Sequence, residues 1–385
     1  MGDDLTGWQE ACERLAALGR RLADDDFPAA PEDRADGVAH LAEQALCWLG
    51  WSVFHDDPRR PAFHRQNDLV TPWGGPNADN VYRHARVESG RRYRLRGRMH
   101  ACEEWVLAVR KGFMHQPTWG TVFEITATDL GLGPGDEIDI EIGGDGPIPL
   151  PEGAVMVSIR EYYLDWREAE PATFTIECLD DDADQPAPRR TPGELGPRLA
   201  EGVDGVSHSL EYWNTYMRDK AAERPRNTFG PTFGLAKGLD AARYGFCFWE
   251  LGPDDALLVE IEAPVARYWS FQLYEMTWFE LIDITERQSS LNHAQVAVDG
   301  DGHVRLVVSH TDPGVANWLD AGGRAGGLLS LRCFWATSAP DAHATVMPVA
   351  EVVDHLPPGT ATVDAATRAE TMRARRRHLA WRFRT

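Results

Sequence analysis

Tyr93-Arg94-Leu95-Arg96-Gly97-Arg98-Met99 alternates through its length: Tyr93, Leu95 and Met99 fall on one side, Arg92, Arg94, Arg96 and Arg98 on the other. Successive side chains of an extended chain point to opposite faces, so this pattern is a half-buried strand. Asp136 to Ile142 does the same, with Ile138, Ile140 and Ile142 against Glu137, Asp139 and Glu141. Val155, Val157 and Ile159 alternate against Met156, Ser158 and Arg160. Short strands punctuated by Gly and Pro predict an antiparallel β-sandwich. The basic and acidic stripes share a period, so cross-strand ion pairs account for both if their strands are neighbours; an anion site along the arginines is the alternative.

Outward from this block the period changes to that of helices. Thr6 and Gln9 form a capping-box pattern, followed by Trp8, Cys12, Leu15 and Ala16 at helical spacing. After a break at Pro28 to Pro31, Val38, Leu41, Ala42, Ala45, Leu49 and Val53 predict a second helix. Asp180 to Arg190 is acidic and proline-bearing, a linker composition. Thr191-Pro192-Gly193-Glu194 then supplies a cap, a first-turn proline and a capping-box glutamate for a helix through Met217, with Gly202 and Gly205 in its middle.

A second β-rich block begins near Tyr244, with strands expected at Gly245 to Glu250, Ala256 to Glu262, Tyr268 to Glu275, Val304 to His310 and Leu328 to Trp335. Asp299-Gly300-Asp301-Gly302 reads as a hairpin turn. The expected organisation is N-terminal helices over 1–65, a first sandwich over 66–185, a connecting helical segment over 186–240, a second sandwich over 241–345, and a helical tail over 346–385. The fold class is all-β with helical additions: two jelly-roll-like antiparallel β-sandwiches joined by a helical segment.

Composition narrows the function. Against 39 Lys and Arg stand 60 Asp and Glu, a net charge of −21 that repels phosphate backbones and anionic membrane faces. Nucleic acid and membrane are therefore not the expected partners. Six scattered cysteines without a C-x-x-C pair indicate reduced thiols rather than a disulfide framework. The N-terminus lacks the basic and apolar regions of a secretory signal, and no apolar run approaches the length of a membrane span. The expected location is the cytoplasm.

G-x-S-x-G, P-loop, H-E-x-x-H and calcium-loop patterns do not occur, and Gly131-Leu132-Gly133-Pro134-Gly135 lacks the strand-to-helix setting of a dinucleotide loop. Two strand ends carry the candidate chemistry instead. Val304, Leu306, Val308 and His310 share a face, as do Trp269, Phe271, Leu273 and Glu275, so an imidazole and a carboxylate each extend an apolar face. At the rim of a cavity such groups have shifted pKa values suited to proton transfer; buried in hydrogen bonds or exposed to solvent they are merely structural. Thr311-Asp312-Pro313-Gly314 is a turn, with Pro presetting φ and Gly accepting φ above zero. Asn77, Asp79 and Tyr82, within Pro76 to Tyr82, gather polar oxygens that either form a turn or hold a polar substrate group; one carboxylate is thin for a divalent metal, which stays possible without being required.

At these residues the chain resembles two bacterial families known as domains of unknown function 1214 and 1254. The resemblance to the first covers roughly Tyr244 to Ala336. It rests on Tyr268-Trp269-Ser270-Phe271-Gln272-Leu273-Tyr274, on Ser309 to Asp320, and on the Arg332-bearing strand after Gly326-Gly327. A weaker resemblance to the second covers Pro76 to Tyr82 and Tyr93 to Gly97. The resemblance implies two jelly-roll-like sandwiches with helical additions, often assembled as oligomers, and carries no settled activity. Ser270 and Glu275 stand where related sequences tend to have amides. The family pattern favours His310, Asp312, Asn317 and Arg332 as site residues.

The functional expectation is a small-molecule enzyme, an acid/base hydrolase or lyase without organic cofactor, acting on a largely apolar substrate. His310, Asp312 and Arg332 would be catalytic; Asn317, Trp318, Trp269, Glu275, Asn77, Asp79 and Tyr82 would bind substrate. Trp269, Trp278, Trp318 and Trp335 would suit an aromatic-lined pocket. The alternatives are a non-catalytic carbohydrate- or ligand-binding protein and a structural component of an oligomer.

Overall fold

The computed structural model describes residues 5–24, 34–167, 170–234 and 241–384; the break read at Pro28 to Pro31 lies outside the described residues. Helix α1 spans Thr6–Arg21, with Leu5 rather than Thr6 at the N-cap position and no side-chain cap bond. Helix α2 (Arg34–Leu49) continues into one π-helical turn, Gly50–Phe54. That turn carries the periodic pattern on to Val53.

The first half contains β1 (Asn80–Arg86), β2 (Tyr93–Arg98), β3 (Glu104–Gly112), β4 (Gly120–Thr126), β5 (Glu137–Ile142), β6 (Met156–Tyr162) and β7 (Thr173–Cys178). They form two antiparallel sheets in the orders β1-β6-β3-β4 and β5-β2-β7. Strand β2 pairs with both β5 and β7. Arg94 Nε therefore lies 2.8 Å from Asp139, and Arg96 Nη1 2.6 Å from Glu177. The two stripes meet in cross-strand ion pairs at Arg92–Glu141 and Arg94–Asp139, whereas Arg98 donates to the Gly135 carbonyl and Arg96 turns chiefly to Glu177 of β7. Strand β6 corrects the simple alternation, because Met156 and Ser158 are as buried as Val157 and Ile159, while Val155 is exposed. Both faces of this strand are covered.

Helix α3 (Pro192–Ala222) starts where the capping signals stand, with the Thr191 amide donating to Glu194 Oε2 at 2.8 Å. Its glycines do not interrupt it. A Cβ on Gly202 would sit 2.6 Å from Ser52 Oγ, and one on Gly205 3.0 Å from the Trp48 ring, so both glycines permit close approach of the chain around Trp48 to Ser52.

The second half contains β8 (Ala242–Glu250), β9 (Asp255–Glu262), β10 (Val265–Tyr274), β11 (Ser290–Asn292), β12 (His303–Ser309), β13 (Trp318–Asp320), β14 (Gly326–Ser338) and β15 (His343–Pro348). Its sheets run β11-β10-β14-β8 and β13-β12-β9-β15, antiparallel except for the parallel pair β12–β13. Trp269, Phe271 and Leu331 of the first sheet pack in one core with Leu257, Val259 and Leu306 of the second. The Asp299–Gly302 turn closes, with the Gly302 amide 2.9 Å from the Asp299 carbonyl. The Asp299 amide also donates to the carbonyl of His303, the first residue of β12, at 2.8 Å, and β12 goes on to pair with β9. Helices α4 (Val352–His355) and α5 (Ala365–Phe383) follow, α5 capped by Asp364, which accepts from the Thr367 amide at 2.7 Å.

The chain divides into two compact units. The first comprises Met1–Gly74, Asn80–Tyr163 and Ala169–Thr215; the second comprises Gly75–Asp79, Leu164–Glu168 and Tyr216–Thr385. The second unit thus takes two short segments from the N-terminal half, and the division falls inside α3. None of the six cysteines forms a disulfide. Among the described residues no helix is long and apolar enough to cross a membrane.

Candidate functional site

Strand β10 sends Trp269, Phe271 and Leu273 into the sandwich core, which leaves Tyr268, Ser270, Gln272 and Tyr274 on the opposite face. Register adds Ser330 and Arg332 of β14, and Ser290 and Asn292 of β11, to that face. All of these residues are buried. A sheet face that is both covered and polar must satisfy its hydrogen bonds internally or lose stability.

The segment from Gly75 to Asp79 supplies many of the partners. The Tyr268 hydroxyl lies 2.6 Å from Asp79 Oδ2, 2.8 Å from Asn77 Oδ1 and 2.7 Å from Ser270 Oγ. Gln272 donates to Asn77 Oδ1 at 2.6 Å and accepts from the Ala78 amide at 3.0 Å. Asp79 Oδ1 accepts from Trp166 Nε1 at 2.9 Å and from Asn292 Nδ2 at 2.7 Å. Arg332 donates to the Gly75 carbonyl at 2.5 Å, its guanidinium 5.3 Å from the Tyr274 ring and 5.4 Å from that of Tyr244.

Helix α5 contributes Arg375, His378 and Arg382, spaced to share one helix face. Their common neighbour is Trp166: the Arg375 and Arg382 guanidinium carbons lie 4.1 and 4.7 Å from its ring, and the His378 ring stacks on it at 5.6 Å. Arg375 also donates to Ser290 Oγ at 2.9 Å, and Arg382 to the Ala78 carbonyl at 2.6 Å.

Burial raises the Asp79 carboxyl above the usual range, against the pull of its donors Tyr268 and Asn292 and of Arg382 and Arg375. Burial, and then the adjacent Asp79, pushes the Tyr268 hydroxyl well above its ordinary value, so it stays protonated. Burial, reinforced by Arg382 and Arg375, pushes His378 down and keeps it neutral. Burial lowers Arg375 to about 10, still charged at neutral pH. The arrangement offers a protonated phenol against a carboxylate, with guanidinium donors close by.

The residues expected from sequence are scattered. Asn77, Asp79 and Arg332 come together on this face. Glu275 follows it, one residue beyond β10; its carboxyl accepts from the backbone amides of Thr277, Trp278 and Glu280 at 2.6, 2.5 and 3.0 Å. Burial, then the neighbouring Glu280, raises it to about 7. The His310 group lies on the other sheet. His310 is half-buried just past β12, its Nδ1 closed to solvent and without a hydrogen-bond partner.

The companions expected around His310 are committed elsewhere. Asp312 pairs with Arg368 at 2.9 Å and accepts from the Gly314 amide. Asn317 fastens a loop, accepting from the Ala297 amide and donating to the carbonyls of Ala297 and Arg305. Trp318 donates to Ser309 Oγ at 3.0 Å. Trp269 is a core residue. Tyr82 belongs to the first unit, on β1, beneath Arg160. The expected quartet of His310, Asp312, Asn317 and Arg332 is thus not assembled, because Arg332 points away from the core that His310 adjoins.

Sequence reasoning missed Tyr268, Gln272, Tyr274, Asn292, Trp166 and the α5 residues. One signal was available: Tyr268, Ser270, Gln272 and Tyr274 alternate as uncharged polar groups, whereas solvent faces favour Lys and Glu.

A double β-sandwich with a covered polar sheet face is the class that fold and site define. Residues 256–338, from β9 through β14, match the family described as "Protein of unknown function (DUF1214)". The match covers the block whose motifs resemble that family; the likeness to the companion family rests on the quoted residues alone. No curated protein matches the sequence. An uncharacterised protein from Burkholderia cenocepacia is similar in structure, with a TM-score of 0.81 at 24% identity, over 90% of this chain and 98% of its own. The VPA0106 protein from Vibrio parahaemolyticus aligns over 80% of this chain and 99% of its own, at 12% identity and a TM-score of 0.45. The first of these likenesses shows the fold.

Proposed function

We propose that the protein is a small-molecule enzyme that works by acid and base catalysis at the buried polar face of β10 and β14, without an organic cofactor. Tyr268 is the proton donor to the substrate, Asp79 the carboxyl group that orients its hydroxyl, and Arg332 the group that holds a carbonyl or anionic oxygen of the substrate. The observation that carries this reading is the covered sheet face filled with hydroxyls, amides and a guanidinium. Apolar side chains of similar size would fill such a face at lower cost in desolvation, so retaining polar groups there points to chemistry. Both Asp79 oxygens are met by N–H and O–H donors, which suits hydrogen bonding better than binding of a divalent cation.

The reading extends to a hydrolase or lyase in the cytoplasm, acting as a homo-oligomer on a largely apolar substrate, with neither nucleic acid nor membrane as partner. The aromatic rings of Tyr244, Phe246 and Tyr274 on the same side of the sheet favour such a substrate. A carbohydrate platform needs exposed aromatic rings, and Trp269, Trp278 and Trp318 are buried. The test incubates the full chain, and separately its Tyr268→Phe variant, with a metabolite extract read by untargeted mass spectrometry. Ions consumed by the wild type and spared by the variant support the proposal; identical profiles from both proteins overturn it.

A further inference from the structure

The first sandwich has a polar sheet face of its own. Trp105 of β3 meets Phe174 of β7 edge-on at 6.1 Å, so the odd-numbered positions of β3 face the three-stranded sheet and the even-numbered ones face away. On the away side, register sets out three rows. His84, Ser158 and Ala108 make the middle row; Tyr82, Arg160 and Val106 lie on one side of it, Arg86, Met156 and Arg110 on the other. Two small side chains, Ser158 and Ala108, therefore form a floor with an arginine at either end.

Three of the polar side chains here, Arg110, Ser158 and His84, have buried atoms without hydrogen-bond partners. Arg110 is buried, yet among the described residues it makes no ion pair, and its Nε and Nη2 have no hydrogen-bond partner. Ser158 Oγ and His84 Nδ1 are likewise buried and unpartnered. Arg160 lies over the Tyr82 ring at 5.8 Å and makes no ion pair among the described residues. Glu124, opposite Ala108 on β4, is the carboxylate on this side. With Arg86 paired to Glu201, two guanidinium groups remain against one carboxylate, an excess of positive charge in a chain whose net charge is −21. An unpaired buried cation is among the costliest groups a fold can carry. Nε and Nη2 are also the parallel donors of the guanidinium fork, the pair that meets the two oxygens of a carboxylate.

We propose that this face binds a small carboxylate-bearing molecule, its carboxylate seated on Nε and Nη2 of Arg110, with Ser158 and Arg160 completing the contacts and Phe113, 5.1 Å from the His84 ring, as an apolar wall. Burial, and then the charge of Arg110, pushes His84 well below its ordinary value, so the imidazole meets the ligand neutral. The site lies wholly in the first unit and does not depend on the role given to Tyr268.

The test follows the melting temperature of the full chain with sodium acetate, sodium benzoate, sodium phosphate or sodium chloride at matched ionic strength. Benzoate or acetate should raise it by at least about 2 °C and chloride should not, because a ligand that binds only the folded state stabilises it. Arg110→Met should abolish the shift while melting, without added anion, no lower than the wild type. Arg110→Lys, which keeps the charge and loses the fork, should weaken benzoate binding at least about tenfold in calorimetry. Tyr268→Phe should leave the shift intact. A shift that survives in Arg110→Met, a shift with phosphate alone, no carboxylate shift at all, or unfolding of both Arg110 variants without ligand would overturn the proposal.

Discussion

At the scale of single residues, Tyr268 and Glu275 show how burial sets chemistry. The Tyr268 hydroxyl is one of three donors to Asp79, with Trp166 and Asn292 as the others. Tyr268→Phe leaves a buried carboxylate short of a donor, so it should lower the unfolding free energy by roughly 1–3 kcal/mol in urea titration. A change near zero would mean that the carboxylate does not depend on this hydroxyl. Glu275 makes a pH-dependent prediction. Its carboxyl is raised from 4.5 to about 7, so between those values the folded state binds more protons than the unfolded one. Its contribution to stability is therefore fully present below 4.5 and is lost as pH rises through 7, an effect of roughly 3 kcal/mol. Glu275→Gln removes the titrating group, so the variant should lose less stability than the wild type between pH 4.5 and 7. Equal slopes would show that the carboxyl ionises at its ordinary pH.

At the scale of elements, β2 and α5 are held in different ways. The ion pairs of β2 are exposed, with 37% and 56% of the Arg94 and Asp139 side chains accessible. A double-mutant cycle on Arg94→Ala and Asp139→Ala should therefore give a coupling of only about 0.2–1 kcal/mol, shrinking in high salt. A coupling unaffected by salt would contradict exposure. Helix α5 instead lays two guanidinium groups and an imidazole against the buried Trp166. Trp166→Leu stays apolar but removes the π face, worth roughly 2 kcal/mol to a desolvated cation, together with the indole donor to Asp79 and part of the packing volume. Hydrogen exchange of the α5 amides should accelerate in that variant; unchanged exchange would locate the anchorage of the helix elsewhere. The sequence marks α5 as part of a helical tail. It does not mark Arg375 and Arg382 as buried, since arginine at such spacing more often faces solvent.

At the scale of the whole molecule, the units interleave along the chain. The residues from Gln185 to Thr191 are exposed, so limited proteolysis should cut there before it cuts β14. The second unit includes Gly75–Asp79 and Leu164–Glu168 from the N-terminal side of that cut. The nicked protein should therefore stay in one piece on a native gel and separate only in denaturant. Two fragments that part without denaturant would show that these segments are not integral to the second unit. The sequence by itself determined the strands β2, β5, β6, β8, β9, β10, β12 and β14, the alternation of β2 and β5, the charged stripes, the major helices and the division into two β-rich blocks. Each of these rests on contacts between near neighbours or on a period of two or of 3.6 residues. Only the tertiary structure decided which face of β10 is covered. Alternation defines two faces and says which is apolar, but a polar face reads as solvent until another segment lies over it. Here the cover includes Asn77, 191 positions from Tyr268, and the helix at the chain's end. The same limit hid Arg110 and Ser158, whose strands are buried on both faces. Parity assigned His310 a face by extension from Val308 and could not choose its neighbours, because sheet order and the path of the covering segments are properties of the folded chain.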